Sequence, residues 1–399
     1  MALPTPRTHT WQEVFLTFLL LGLRSFGGPV AHLGYYRETF VRDRRWLNDH
    51  DYGQLVALCQ FLPGPSSSQV GQAIGLQRAG LPGMAAAWLA FTAPSATIMI
   101  GLALGLNWVD PETLQQAGWL HGLKLAAVAV VAHAVLSMAR SLCPDLPRAT
   151  IAVVATGVAL VWPNPLGQVS ALLAGAVLAF LLPMPAPANV DATLKSPISR
   201  RGGVVALGVF VAGLLGLPLL VLLSPGGLLG FVDSFYRVGA LVFGGGHVML
   251  PLLDREIAAP SGIDSQTFLA GYGVAQALPG PLFSFAGYLG AEALPHMPIA
   301  AGLIAVVAIF LPGTLLLLAA LPWWLTVGRN HVLQRGVFGI NAGVVGLLAA
   351  VLWNPIAVYG ITGWLDVVIA ALAFAALWSG RLPVYLLVPL CALAGWLIL

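Results

Sequence analysis

The sequence predicts an all-α, polytopic integral membrane protein of about 13 transmembrane segments, built as two inverted homologous halves with discontinuous helices. Three observations carry that reading. Of 399 residues, 58% are apolar and only 8% charged, whereas soluble domains are about a quarter charged. Apolar stretches of 15 or more residues recur along the chain, and a bilayer span needs roughly 17–25. Short Gly/Pro motifs of the first half return, in register, in the second.

The apolar elements follow in order. Six occupy the first half: Trp11–Tyr36, Gly53–Gln77, Leu81–Leu106, Ala117–Ala139, Ala149–Trp162 and Leu166–Leu182. The run Val14–Leu23 leads into Arg24 and FGGP and not into a small-residue cleavage site, so it reads as the first span and not as a signal peptide. Pro183–Arg201 is rich in proline and alanine and ends basic, the composition of a linker. An uncharged span, Gly203–Leu223, separates the halves. Six more elements follow: Gly230–Leu253, Thr267–Gly280 with Leu282–Leu294 as two parts of one broken element, Ile299–Trp324, Val332–Trp353, Gly363–Trp378 and Leu382–Leu399. The expected organisation is a first transport half at 1–182, a linker plus extra span at 183–229, and a second half at 230–399.

The internal repeat is specific. Phe26-Gly27-Gly28 matches Phe243-Gly244-Gly245 at an offset of 217, and Gln60, Leu62, Pro63, Gly64 and Pro65 match Gln276, Leu278, Pro279, Gly280 and Pro281 at 216. Ser68 and Gly71 continue onto Ser284 and Gly287, and Pro94 meets Pro312 at 218. A duplication explains this register. An odd extra span would then turn the second half upside down. Charge counting does not fix how the broken elements lie. If they cross, eleven basic residues fall on the cytoplasmic side and four outside; if the QxLPGP elements re-enter, the score is again eleven to four. Crossing is preferred here, because the uncharged extra span then has the purpose of inverting the second half.

Other classes of protein fall away. Cys59, Cys143 and Cys391 are too far apart for a metal motif or a disulfide framework. No long basic run argues for nucleic acid, and neither lysine, Lys124 or Lys195, lies in a phosphate-binding loop. No catalytic motif is present, so an enzyme is not expected, nor is a cofactor or a metal.

Proline and glycine inside a span free backbone groups that lipid cannot satisfy, so such breaks survive where protein or a water-filled cavity surrounds them. Paired breaks in matching halves point to a transporter's substrate site. After Pro65, the run Ser66-Ser67-Ser68-Gln69 is suited to start a helix whose free N–H groups, with roughly half a positive charge, face the break. Backbone amides, hydroxyls and amide side chains suit a tetrahedral oxyanion that must also leave. In the second copy Ser66 and Gln69 become Leu282 and Phe285 while Ser284 persists, so side-chain donors are expected mainly from the first half. Arg24 lies two residues before FGGP and is the fixed cation nearest a break; Arg237 and Lys124 are further intramembrane cations, with snorkelling as the competing reading. His32 and His247 flank the two glycine breaks and could donate hydrogen bonds or shuttle protons.

These motifs resemble a known family. SFGGPVAHLGYYRETFV (Ser25–Val41), RRWL (Arg44–Leu47), ALCQFLPGPSSSQVGQAIGLQRAG (Ala57–Gly80) and FTAPSA (Phe91–Ala96) are similar to the first half of chromate transporters of the CHR superfamily. VFGGGHVMLPLL (Val242–Leu253) and FLAGYGVAQALPGPLFSFAGYLGA (Phe268–Ala291) resemble its second half. The resemblance implies the long-chain, two-domain form with halves in opposite orientation, and export of chromate from the bacterial cytoplasm, with sulfate as a structural mimic and chromate resistance as the outcome. It carries the family's motifs onto Gly27, Gly28, Pro29, His32, Gln60, Pro63, Gly64, Pro65 and Gln69, and onto Gly244, Gly245, Gly246, Gln276, Pro279, Gly280 and Pro281. Arg24 belongs to no family motif. The expected partners are a small inorganic oxyanion (chromate, with sulfate as a mimic), the lipid bilayer of the bacterial inner membrane, and a second copy of the chain in a homodimer. An oxyanion importer coupled to a cation, and a non-transporting assembly subunit, are the alternatives.

Overall fold

The computed structural model describes residues 10–26, 28–106, 118–162, 165–183, 196–223, 227–242, 249–324 and 330–398. Among these residues there are helices and no strands. Away from their Gly/Pro breaks the apolar elements marked above are helical where described, because lipid leaves a backbone no other way to satisfy itself locally. Gly27, Gly244, Gly245, Gly246 and His247, and residues 184–195 of the linker, lie outside the described residues.

The first half opens with two hairpins. α1 (Trp11–Arg24) begins where the Thr10 side chain caps Glu13 N–H and ends at the FGGP break. α2 (Gly28–Tyr36) runs back, continued by a π-helical turn at Arg37–Asp43. α3 (Asp49–Phe61), capped by Asn48 on Asp51 N–H, descends to the LPGP break. α4 (Ser66–Leu106) then returns as far as residue 78, kinks at Ala79–Gly80 and continues across the molecule as a second arm.

The outer ends of these elements meet. Glu13 at the start of α1 pairs with Arg44 at 3.7 Å and with Arg78 at 3.3 Å. The Arg78 guanidinium lies over the Trp46 ring, 4.7 Å from its centroid. Trp46 stands two residues before the cap of α3, and Arg78 ends the returning arm of α4. Phe18, midway along α1, packs on Tyr36 and Phe40 of the returning strand of chain. Both broken elements therefore re-enter: they dip in from one face and return to it. Crossing, the preferred arrangement from sequence, would hold Trp46 and Arg78 apart by two 13-residue helices, about 40 Å at 1.5 Å per residue.

The chain then crosses through α5 (Gly118–Leu142), α6 (Leu146–Val161), α7 (Pro165–Leu181) and the separating α8 (Arg200–Leu223). The second half repeats the pattern with α9 (Gly227–Leu241), α10 (Met249–Leu253) and its π-helical continuation Asp254–Ala258, α11 (Ser265–Ala277), a 3₁₀ turn at Leu282–Ser284 leading into α12 (Phe285–Ala293), and α13 (Pro298–Ala320). Its last elements are α14 (His331–Val351), a short α15 (Val358–Gly360), α16 (Trp364–Trp378) and α17 (Val384–Ile398). The hairpins recur. Arg237 of α9 pairs with Asp233 and, on the returning π turn, with Glu256, both at 3.1 Å. Tyr288 of α12 donates to the Thr267 carbonyl at 3.1 Å, closing α12 onto α11. The second arm of α4 starts beside Arg78, and its far portion packs at Ile100 on Gly287 and Gly302, so the second pair of hairpins opens on the opposite face.

Thirteen membrane-embedded segments thus remain, four of them re-entrant, and the single helix α8 inverts the second half. Among the described residues five helices are long and apolar enough to cross a membrane, α8 among them. Its Val205, Leu215, Leu219 and Leu223 are exposed, as side chains facing lipid would be. The re-entrant path also redistributes charge. Among the described residues Arg37, Arg42, Arg44, Arg45, Arg78, Arg140, Arg148, Arg200, Arg201, Arg335 and Arg381 lie toward the face where the first hairpins open, and Arg255 lies toward the other. The tie in the sequence count came from letting only the QxLPGP elements re-enter, which moved Arg7, Arg329, Arg335 and Arg381 outside as Arg37, Arg42, Arg44 and Arg45 moved inside.

Candidate functional site

The four hairpins meet tip to tip at the centre of the molecule. Gly64, at the first LPGP break, donates its N–H to the carbonyl of Val242, the residue before FGGG, at 2.6 Å. Gly280, at the second break, donates to the carbonyl of Ser25, the residue before FGG, at 3.0 Å. Ser25 and Val242 correspond at offset 217, and Gly64 and Gly280 at 216, so each half completes the other's broken backbone. This satisfies groups that lipid could not.

Glycine is dictated at both tips. Gly64 has φ +117° and Gly280 has φ +97°, conformations that side chains other than glycine resist. A Cβ on Gly64 would lie 2.9 Å from the Gly313 Cα, and one on Gly280 would lie 2.9 Å from Ser95 Oγ. Gly313 and Ser95 are themselves repeat partners, one residue beyond Pro312 and Pro94. Pro63, Pro65, Pro279 and Pro281 frame these turns, and Pro281 is extended with ψ 133°.

α4 starts at Ser66, directly after Pro65, with Ser66, Ser67, Ser68 and Gln69 all buried. Gln69 acts as a brace. Its Nε2 donates to the Pro63 carbonyl at 3.0 Å and to the Gly313 carbonyl at 2.9 Å, tying the first break to α13. His32 is a second strut. Its Nε2 lies 3.1 Å from the Ser25 carbonyl and its Nδ1 3.3 Å from Ser67 Oγ. A carbonyl only accepts, so Nε2 carries the proton and Nδ1 accepts from the Ser67 hydroxyl. His32 and Ser67 thus hold the Ser25 carbonyl that receives Gly280. Around these struts the buried Oγ atoms of Ser25 and Ser68 have no hydrogen-bond partner among the described residues. They are spare donors beside a helix N-terminus, where an anion is favoured.

The second break is built differently. Ser284 is buried in the 3₁₀ turn, and Phe285, replacing Gln69, stacks with Tyr288 and packs edge-on against Phe268. Gln276 is buried and donates to the Tyr272 hydroxyl. Its counterpart Gln60 is exposed instead and lines a cavity of about 270 Å³ together with Ala57, Ser141, Arg148, Gln334 and Asn341. Arg148 is 3.2 Å from Asp145, and its guanidinium lies over Phe338. This cavity lies on the basic-face side of the first break.

The remaining residues singled out from sequence are scattered. Arg24 ends α1 at the break; it is exposed and has no ion pair among the described residues. Gly28 opens α2 with φ +76° and open space where a Cβ would go. Arg237 is neutralised by its two carboxylates. Gly27, Gly244, Gly245 and His247 fall outside the described residues. Sequence reasoning missed Arg148, Gln334 and Asn341: they sit far along the chain from either motif, and only the tertiary arrangement, which sets α5, α6 and α14 across the cavity from α3, brings them to face Gln60.

Comparison with known proteins agrees with this architecture. The sequence pattern of the family described as "Chromate transporter" matches residues 12–181 and again 229–396. The chain is 27% identical to a chromate transport protein of Pseudomonas aeruginosa, covering 100% of this chain and 94% of that protein. It is 27% identical to a probable chromate transport protein of Synechococcus elongatus, covering 97% and 95%. It is 25% identical to a chromate transport protein of Cupriavidus metallidurans, covering 86% and 82%. No solved structure matches the chain.

Proposed function

This chain belongs to the chromate transporter family, and we propose that it exports chromate, with sulfate as a competing mimic, through the meeting point of its four hairpins. The observation that carries the proposal is the reciprocal pair of tip bonds, Gly64 to Val242 and Gly280 to Ser25. Breaks that interlock at the centre of an inverted repeat are the arrangement in which secondary transporters hold small anions. Gln60, Pro63, Gly64, Pro65, Ser66, Ser67, Ser68, Gln69, His32 and Arg24 form the first half of the proposed site; Gln276, Pro279, Gly280, Pro281 and Ser284 form the second. Gln69, His32 and Ser67 shape the site, while the backbone amides opening α4 and the hydroxyls of Ser25 and Ser68 face the anion.

The distribution of arginines supports an orientation. Basic residues gather on the cytoplasmic side of membrane proteins, so the first hairpins and the cavity at Gln60 open to the cytoplasm of a bacterial inner membrane. Loading from that side suits export. Moving a dianion out of an inside-negative cell gains about 4.6 kcal/mol per 100 mV, at about 2.3 per charge. At about 1.4 kcal/mol per factor of ten, that alone holds the internal level more than a thousandfold down. Neither ATP nor a catalytic group is needed, and the chain is read as a transporter that confers chromate resistance.

The test is radiolabelled chromate uptake into everted membrane vesicles, with the potential set by an ion gradient. Potential-dependent uptake that sulfate competes away is the expected result. Uptake only in right-side-out vesicles, and only with an inward proton or sodium gradient, would make the chain an importer.

A further inference from the structure

The repeat extends beyond the breaks. At offset 217, Gly122-Leu123-Lys124 of α5 falls on Gly339-Ile340-Asn341 of α14, with Val128 on Val345 behind it. The packing keeps the same register: Gly122 lies against the Cys391 carbonyl of α17, the last helix of the second half, and Gly339 against the Gly175 carbonyl of α7, the last helix of the first. Lys124 and Asn341 are therefore pseudo-two-fold mates.

Their surroundings match as well. Asn341 lines the cavity at the first break with Ala57 and Gln60 of α3. The repeat partners of Ala57 and Gln60 are Gly273 and Gln276 of α11, and a Cβ on Gly273 would lie 3.0 Å from the Leu123 carbonyl, one residue before Lys124. Asn341 thus stands beside the QxLPGP helix of the first half, and α5 touches that of the second one residue before Lys124.

Neither side chain is used by the fold. Lys124 is 5% exposed and makes no hydrogen bond or ion pair among the described residues. Two acids, Asp366 and Asp264, act on it through space; Asp366 is engaged by His121 at 2.9 Å and by the amides of Thr362 and Gly363, and Asp264 by the amide and hydroxyl of Thr267. The Oδ1 of Asn341 is buried without a partner. A buried, unpaired lysine inside a membrane domain is costly and marks a ligand or an ion path.

We propose that Lys124 and Asn341 are symmetry-related contacts of the translocated oxyanion, Lys124 supplying the fixed positive charge and Asn341 the N–H groups of Nδ2 as a neutral donor, its Oδ1 turned away from the anion. This rests on the function proposed above. A single cation at the mated pair partly neutralises a dianion, so it is held and also released; two cations at the mated positions would hold it more tightly.

The experiment is chromate flux in proteoliposomes of the full chain, with sulfate competition. Lys124→Met is expected to lower flux at least tenfold at unchanged folded yield, Lys124→Arg to keep part of it, and the exchange Lys124→Asn with Asn341→Lys to recover it, because the charge returns at the mated site. Full flux in Lys124→Met, or an exchange variant no better than Lys124→Met, overturns the proposal. Should Lys124→Met not fold, Asn341→Asp decides: a rise in KM of tenfold or more supports the contact, and an unchanged KM refutes it. Absence of flux in the unmodified chain would instead strike the proposed function itself.

Discussion

The amide of Gly64 and the carbonyl of Val242 are joined at 2.6 Å across 178 residues of chain, and the mated pair, Gly280 and Ser25, at 3.0 Å across 255. Neither half can close its own break. The hydrogen-bonding demand of a dehydrated backbone thus becomes the contact that locks the halves together.

Replacing either tip glycine by alanine should damage this junction unequally. The positive φ alone costs about 1–3 kcal/mol, and Gly64→Ala also drives a methyl into the Gly313 backbone, which cannot swing away. Gly280→Ala meets the Ser95 hydroxyl, which can rotate. Thermal unfolding in detergent should show Gly64→Ala as the larger loss, and Ser95→Gly should partly restore Gly280→Ala. Equal loss in the two would mean that the steric difference is irrelevant.

Gln69 offers a test of brace against ligand. Its amide donates to two carbonyls, so Gln69→Glu sets carboxylate oxygens against carbonyl oxygens, whereas Gln69→Leu only removes donors at about 1–3 kcal/mol. The acidic variant should melt lower than the apolar one. A reversed order would show that Gln69 does not hold α13 to the break.

Re-entry is checked by labelling. With Cys59, Cys143 and Cys391 replaced, Arg42→Cys and Arg78→Cys should both react with an impermeant thiol reagent from the same side of the membrane. Reaction from opposite sides would restore the crossing arrangement.

The cavity at Gln60 should behave as the cytoplasmic approach to the site. Loss of one charge-assisted hydrogen bond is worth about 1.5–3 kcal/mol, so Arg148→Gln and Gln60→Ala should each raise the KM for chromate about tenfold in everted vesicles, and the Arg148→Gln effect should shrink in high salt. A fall in maximal rate without a change in KM would move the approach elsewhere.

By itself the sequence determined what is local: the membrane class, the thirteen apolar segments, the duplication, and the positions of the breaks. Apolarity, proline and glycine act within a few residues of themselves. It also marked the first half as the richer in donors, since Phe285 stands where Gln69 does. Whether the broken elements cross or turn back could not be read, because both arrangements gave the same charge count. The tertiary structure decided that through Glu13, Trp46 and Arg78, which meet across more than 60 residues of chain. It likewise turned Gln69 and His32 into struts, and set Asn341 beside Gln60. Those roles depend on which carbonyl or cavity each side chain reaches once helices distant in sequence are packed, and pattern along the chain carries no record of that.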